Sequence, residues 1–357
     1  MMRFSVIAAA LTMVSCTAQE PTERSVSDEL HSDRPGSEVG QPITARHGFT
    51  SGLVDADGVL WFGTKGSGVF RYNGRSFTEL TERDGLCSDQ VQAVIQDHAG
   101  VLWFGTPKGL CRYDRGAFSS IPLPFRDTTG GWLDEVYPVM DPNAVHALAE
   151  DKKGDLWIGT AGGGAYRYDR KAFTPYLTDI GTKQTDGRTY NWIPSIEVDA
   201  EGQLWFASMS HGGAMRFTEG TFTQFLPKDG LSDDMIRTIY TDRSGNVWFG
   251  FNGNRASGLT VYREGTFTTH TAEDGLCDPS IHALFEDSSG KLWIGSGRGS
   301  LCVFDGSTFT EFYVANGVPF PAIRFILEDR EGAIWVGGGM GLWRIVEGSV
   351  ETMVEIE

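Results

Sequence analysis

Two arginines, two histidines and a glutamine recur at one place in this sequence. Each stands five residues before the aspartate of an Asp-x-x-Gly turn, flanked by apolar residues as in "VHAL", "IRTI" and "IHAL". They are Gln92, His146, Arg237, His282 and Arg324; two further copies of the turn carry Thr50 and Pro194 there. Brought together on a chain of net charge −17, such residues would make a local positive spot. That spot would favour an anionic group, a carboxylate or a uronate. The competing reading is a hydrated lining that holds only water. His146 and His282 could also serve as bases. Glycoside hydrolysis would need two carboxylates about 5–10 Å apart. Asp134, Glu135 and Asp186 are available, but their separation is not written in the sequence.

A second group of candidates is aromatic. Trp132 and Tyr137 lie in "PLPFRDTTGGWLDEVYPVMDPNA" (122–144), and Tyr190 and Trp192 in "LTDIGTKQTDGRTYNWIPS" (177–195). Aromatic platforms suit sugar faces and apolar ligands. Long loops on a rigid scaffold often carry function. The alternative is that these rings pack the two insertions onto the body. No metal or cofactor set stands out: "DADG" (55–58) opens like a calcium loop, but its twelfth position is Gly66 rather than Glu. Asp127, Asp134, Glu135 and Asp141 could gather round a Ca²⁺ ion, but read first as a solvated acidic loop. "GSGRGS" and "GTAGGG" lack the following helix that phosphate binding requires.

The element that must position these residues is a repeat. Asp-x-x-Gly-x-(Leu/Val/Ile)-Trp is written seven times, at Trp61, Trp103, Trp157, Trp205, Trp248, Trp293 and Trp335, at spacings of 42, 54, 48, 43, 45 and 42. A period of this length with several short strands per unit predicts an all-β fold, a seven-bladed β-propeller of four-stranded antiparallel blades. In blade 6 the expected strands are 280–287, 291–296, 300–305 and 308–314, from inner to outer. The Asp is expected to close the turn, the Gly to supply positive φ, and the Trp to fill the contact between blades. Inner strands line the central channel, so the polar position would form a ring near its top mouth. The Asp-x-x-Gly turns fall on the bottom face; both insertions fall on the top, flanking blade 3.

"EDGLCDPSIHAL" followed by "EDSSGKLWIGSGRGSL" resembles the two-component regulator propeller repeat, as do "RDGLCSDQVQAVIQDHAGVLWFGTPKGL" and "NAVHALAEDKKGDLWIGTAGGG". The resemblance extends over residues 49–350 in seven units. It implies an extracytoplasmic ligand-binding module, since such propellers typically serve as sensors of membrane histidine kinases. The partners implied are an oligosaccharide or small anionic ligand, and a membrane protein or kinase; the expected state is a monomer. Two other functions remain open: a propeller enzyme (a polysaccharide lyase or glycoside hydrolase), and a protein-assembly scaffold.

Cys87 and Cys277 share one repeat position, in "DGLC" before an inner strand; Cys111 and Cys302 share another, in the third strand of the same blades. Paired presence and proximity argue for two disulfides, Cys87–Cys111 and Cys277–Cys302, against the alternative of four free thiols. Where blade 5 aligns it has Ser232 and Thr260.

At the N-terminus Arg3 precedes an eleven-residue apolar stretch, Phe4 to Val14, too short to span a membrane. "Met-Val-Ser-Cys" resembles the bacterial lipobox. This implies a signal peptide over 1–16, a lipid on Cys16, and anchoring to a bacterial membrane, periplasm-facing or on the cell surface. A plain secretory signal is the alternative. Residues 17–43 are poor in aromatics and rich in Ser, Glu, Pro and Gly, as in a disordered tether to a propeller spanning 44–357. The acidic balance argues against nucleic acid, which needs Lys and Arg for its phosphates, and leaves the lipid as the sole membrane contact. Residues 41–46 could pair with the outer edge of blade 7 and close the ring.

Overall fold

The computed structural model describes residues 43–124, 141, 143–179, 182–183, 189–253, 257–312, 320 and 322–356. The expected signal peptide, with Cys16, and the tether lie outside these residues. Seven antiparallel sheets follow one another along the chain, each ordered inner, second, third, outer strand. In blade 6 the strands are Ile281–Glu286, Leu292–Ser296, Leu301–Phe304 and Phe309–Phe312. Burial dictates their composition. Second strands such as Leu102–Thr106 and Leu292–Ser296 are buried at every position and are largely apolar. Outer strands such as Phe309–Phe312 are only half covered and mix polar with aromatic residues. Among the described residues no helix is long and apolar enough to cross a membrane.

The repeated Asp does more than close its turn. In blade 6 Asp287 Oδ1 accepts the backbone N–H groups of Ser289 and Lys291, while Oδ2 accepts Trp293 Nε1–H at 2.8 Å. The Asp–indole bond recurs in all seven blades at 2.8–2.9 Å. It explains the fixed six-residue spacing, because the carboxylate must face the ring edge of the returning strand. Gly290, at φ 84°, makes the reversal. The indole then packs on the next blade: Trp157 meets Phe206 and Phe217 at 5.4 and 5.0 Å.

The glycine two residues after the repeat Trp (Ala207 in blade 4) avoids a side-chain clash. A Cβ at Gly159 would lie 2.4 Å from the Ile193 carbonyl oxygen, and one at Gly295 would lie 2.4 Å from Ile323 Cγ2. Both obstacles stand at the entry to the next blade's inner strand. The glycine therefore admits that neighbour.

Inner strands are also stitched together at the bottom. Glu150, Glu286 and Glu328 accept the backbone N–H of His98, Arg243 and Ser288 in the preceding blade at 2.7–2.8 Å. Gln96 does the same for Ala56 at 2.7 Å.

Two disulfides join Cys87 to Cys111 and Cys277 to Cys302, with Cα separations of 5.7 and 6.0 Å. In blade 5 the equivalent residues are linked by a hydrogen bond, Thr260 Oγ1 to Ser232 Oγ at 3.1 Å. Ring closure has two parts. Trp335 of blade 7 packs on Phe62 and Tyr72 of blade 1 at 5.5 and 5.3 Å. Ile43–Ala45 adds a fifth, parallel strand to blade 7 along Ser349–Ile356. The chain then continues into the inner strand of blade 1, Phe49–Val54, so the first and last blades share one covalent segment.

Candidate ligand cavity at the channel mouth

The polar position is the extra residue of a β-bulge. In blade 3, Val145 pairs with Thr160 and Ala147 with Gly159, which leaves His146 unopposed. The same shift isolates Thr50, Arg237, His282 and Arg324 in blades 1, 5, 6 and 7. A bulge re-aims one side chain while the rest of the ladder keeps its register. Here it turns a polar group toward the channel while the neighbouring residues stay in the core.

All seven equivalents (Thr50, Gln92, His146, Pro194, Arg237, His282 and Arg324) line one cavity of about 580 Å³. That volume lies within the range of small-molecule sites. Of the four insertion aromatics, Trp192 lines this cavity. Trp132 and Tyr137 lie outside the described residues. Tyr190 is placed by its backbone alone, in a short hairpin of Thr182–Lys183 with Thr189–Tyr190. Asn191 roots that insertion. Buried to 1% exposure, it donates from Nδ2 to the Leu177 carbonyl and accepts Ser208 Oγ–H at 2.8 Å. Trp192 is thereby delivered to the mouth, its own backbone N–H held by Ser210 Oγ at 3.1 Å.

Around Trp192 the geometry is tight. Its indole Nε1–H donates to His146 Nδ1 at 3.2 Å, and the two rings meet edge to face at 5.5 Å. The Arg237 guanidinium lies over the Trp192 ring, 5.2 Å from its centroid. Further round, Arg324 Nη1 donates to His282 Nδ1 at 3.3 Å, and His282 Nε2 meets Asn252 Oδ1 at 3.3 Å. An indole or guanidinium N–H can only donate, so both histidines carry their proton on Nε2 and are neutral. Burial, with Arg237 adding to it, pushes His146 down to about 3. Burial, then Arg237 and Arg324, pushes His282 down to about 3. Desolvation also lowers Arg237, with Arg324 second, and lowers Arg324.

Lys65, Pro107, Met209 and Asn252 complete a second tier of the lining. Each stands four residues after its repeat Trp, where the second strand exits. Reading the repeat at that position, as well as five before the Asp, would have found them. The Lys65 ammonium is held below its usual value by burial and then by Arg324 and Arg237. One carboxylate among the described residues, the exposed Asp141, borders the cavity.

Glu197 was also missed. It stands two residues before its motif Asp, where the other blades hold Leu53, Ile95, Ala149, Tyr240, Phe285 and Leu327. Burial pushes its carboxyl up to about 8, against the opposing effect of the Thr241 backbone N–H.

Comparison with known proteins agrees with this architecture. The family profile for the two component regulator propeller matches residues 85–108, 140–162, 230–253 and 275–298, the inner and second strands of blades 2, 3, 5 and 6. Histidine kinase P4 of Formosa agariphila is 24% identical over 164 residues, 43% of this chain and 11% of the kinase. The extracellular domain of a protein described as a putative hybrid two component system from B. thetaiotaomicron superposes with a TM-score of 0.66 at 22% identity, over 84% of this chain and 39% of that one. Virginiamycin B lyase from Staphylococcus aureus superposes with a TM-score of 0.62 at 17% identity, over 87% of this chain and 97% of the lyase. The chain thus spans about a tenth of the curated relative's length and about two fifths of that extracellular domain's. At these identities the superpositions speak for the fold. The repeat profile, the strand order and the seven Asp–Trp turns together make the chain a seven-bladed β-propeller that carries two component regulator propeller repeats.

Proposed function

We propose that this propeller is an extracytoplasmic, sensor-like binding module that takes a small molecule, such as a glycan, in the cavity at its top mouth. One observation carries the reading: seven equivalent inner-strand positions, five of them bulged, converge with Trp192 on a single cavity. Two disulfides suit an oxidising compartment outside the cytoplasm. Lipid attachment at Cys16, with residues 17–43 as tether, is the anchoring we propose. A membrane protein or kinase is the partner that would read the bound state. The site favours binding over general-base catalysis, because the acceptor nitrogens of both His146 and His282 are already engaged.

The test is a thermal-shift screen of the protein against neutral and acidic oligosaccharides. A ligand at 100 times its Kd stabilises by about 2.7 kcal/mol. The reading expects a clear shift that disappears in Trp192→Ala. No shift with any sugar or small acid would transfer the top face to a protein partner.

A further inference from the structure

The cavity gathers three cations, and Asp141 is the single carboxylate among the described residues at its border. Arg237, Arg324 and Lys65 come from blades 5, 7 and 1 of an acidic chain, and among the described residues none of them forms an ion pair. Arg324 Nε is buried without a hydrogen-bond partner among the described residues. Several arginines elsewhere have carboxylate partners, although Arg216 Nε, like Arg324 Nε, is buried without a hydrogen-bond partner among the described residues. Arg167 pairs with Asp155, Arg170 with Glu150 and Asp97, and Arg344 with Asp329 and Glu331. Each of those guanidiniums has a carboxylate in reach; among the described residues the two at the mouth form no ion pair. Desolvated like charges held near one another cost free energy, and an anion entering between them would recover it.

The neutral groups carry the same polarity. His146 and His282 present N–H rather than a lone pair on Nε2, and His282 spends its own on Asn252. His146 Nε2–H has no partner among the described residues. Room for this arrangement is built in: a Cβ at Gly297 would lie 2.2 Å from His282 Cε1. Trp192 covers one side of the Arg237 guanidinium, so that fork is oriented before any ligand arrives.

Resting on the binding role proposed above, we propose that the mouth is an oxyanion receptor. Arg237 and Arg324, with Lys65 and the Nε2–H of His146, hold the carboxylate or sulfate of an acidic sugar. Arginine forks suit either group, since both offer two oxygens in one plane to paired N–H donors.

Calorimetric titration of the protein with methyl glucuronide, glucose 6-sulfate and methyl glucoside tests this. The acidic sugars should bind at least tenfold more tightly than the glucoside, with an affinity that falls as salt rises. The stronger of the two acids identifies the oxyanion. Arg237→Gln and Arg324→Gln should each lose tenfold or more. Arg237→Lys keeps the charge without the fork and should lose less than Arg237→Gln, which guards against a fault in folding. Equal binding of the neutral glucoside would overturn the oxyanion assignment and leave the cavity as a binding site. Absence of binding by all three sugars would overturn it too, and the wider oligosaccharide screen would then decide separately whether the cavity binds at all.

Discussion

The two ends of each inner strand obey different rules. At the bottom, seven aspartates hold seven indoles with nearly the same bond. Five residues earlier, at the top, the same strands offer Thr, Gln, His, Pro, Arg, His and Arg. The bottom position is fixed because the fold needs it: an unpaired buried carboxylate or indole N–H would be costly in every blade. In five blades the top position is a bulge whose side chain leaves the core, so packing places little demand on its chemistry. Where the architecture stops dictating residue type, the chain has placed cations and imidazoles, and it has done so against its own net charge.

If that division is right, damage at the bottom should unfold the protein and damage at the top should not. The largest effect belongs to Trp205→Ala. This ring is fully buried and packs on Phe249 and Tyr262 of the next blade. Its removal should cost about 3–5 kcal/mol, measured by chemical denaturation; a loss below about 1 kcal/mol, typical of a surface change, would refute the scaffold role of the motif.

The disulfides come next. Each closes a loop with a sequence separation of 24 or 25 residues, worth about 3 kcal/mol in the chain-entropy account. Cys87→Ser with Cys111→Ser should lower the denaturation midpoint without changing sugar binding. The converse sharpens the point. Ser232→Cys with Thr260→Cys in blade 5 replaces a 3.1 Å hydrogen bond at the equivalent position, and should yield a third disulfide detectable by mass.

A smaller effect concerns pH. Glu197 has its folded pKa raised to about 8, so the folded state holds a proton that the unfolded state releases above the usual carboxylate range. Stability from this group is complete at low pH and is lost as pH rises toward 8. His146 and His282 act in the opposite sense. Their folded values are depressed to about 3, so acidification below about 6.5 favours the unfolded chain. Above that value Glu197 should dominate. Melting temperature should fall between about pH 6.5 and 8 in the parent and stay flat in Glu197→Gln; an unchanged slope would remove Glu197 as the cause.

Much of this architecture is legible in the sequence alone, and the exceptions have physical reasons. The seven turns, the strand order, the cysteine pairs and the polar ring are all periodic, so aligning the copies exposes them. The bulge is not visible in that way, because it is a matter of pairing: one unopposed residue reads as an ordinary strand residue. Glu197 escaped because it is one residue away from the repeat position of Glu150, Glu286 and Glu328, which close the blade-to-blade stitches. A one-residue offset in a strand reverses the face, and there desolvation raises the Glu197 carboxyl. The insertions have no repeat copy to be compared with, and it is the indole bond to His146 that ties Trp192 to the polar ring.

The most direct test of the division between the two ends is the stability of the double variant Arg237→Gln/Arg324→Gln, measured by equilibrium denaturation without ligand. Removing two desolvated cations that form no ion pair among the described residues should leave the propeller as stable as the parent or more so, if the proposed binding role rather than folding keeps them there. A loss of about 2 kcal/mol or more, on the scale of a broken core contact, would show that the ring at the mouth holds the fold together, and would contradict the account.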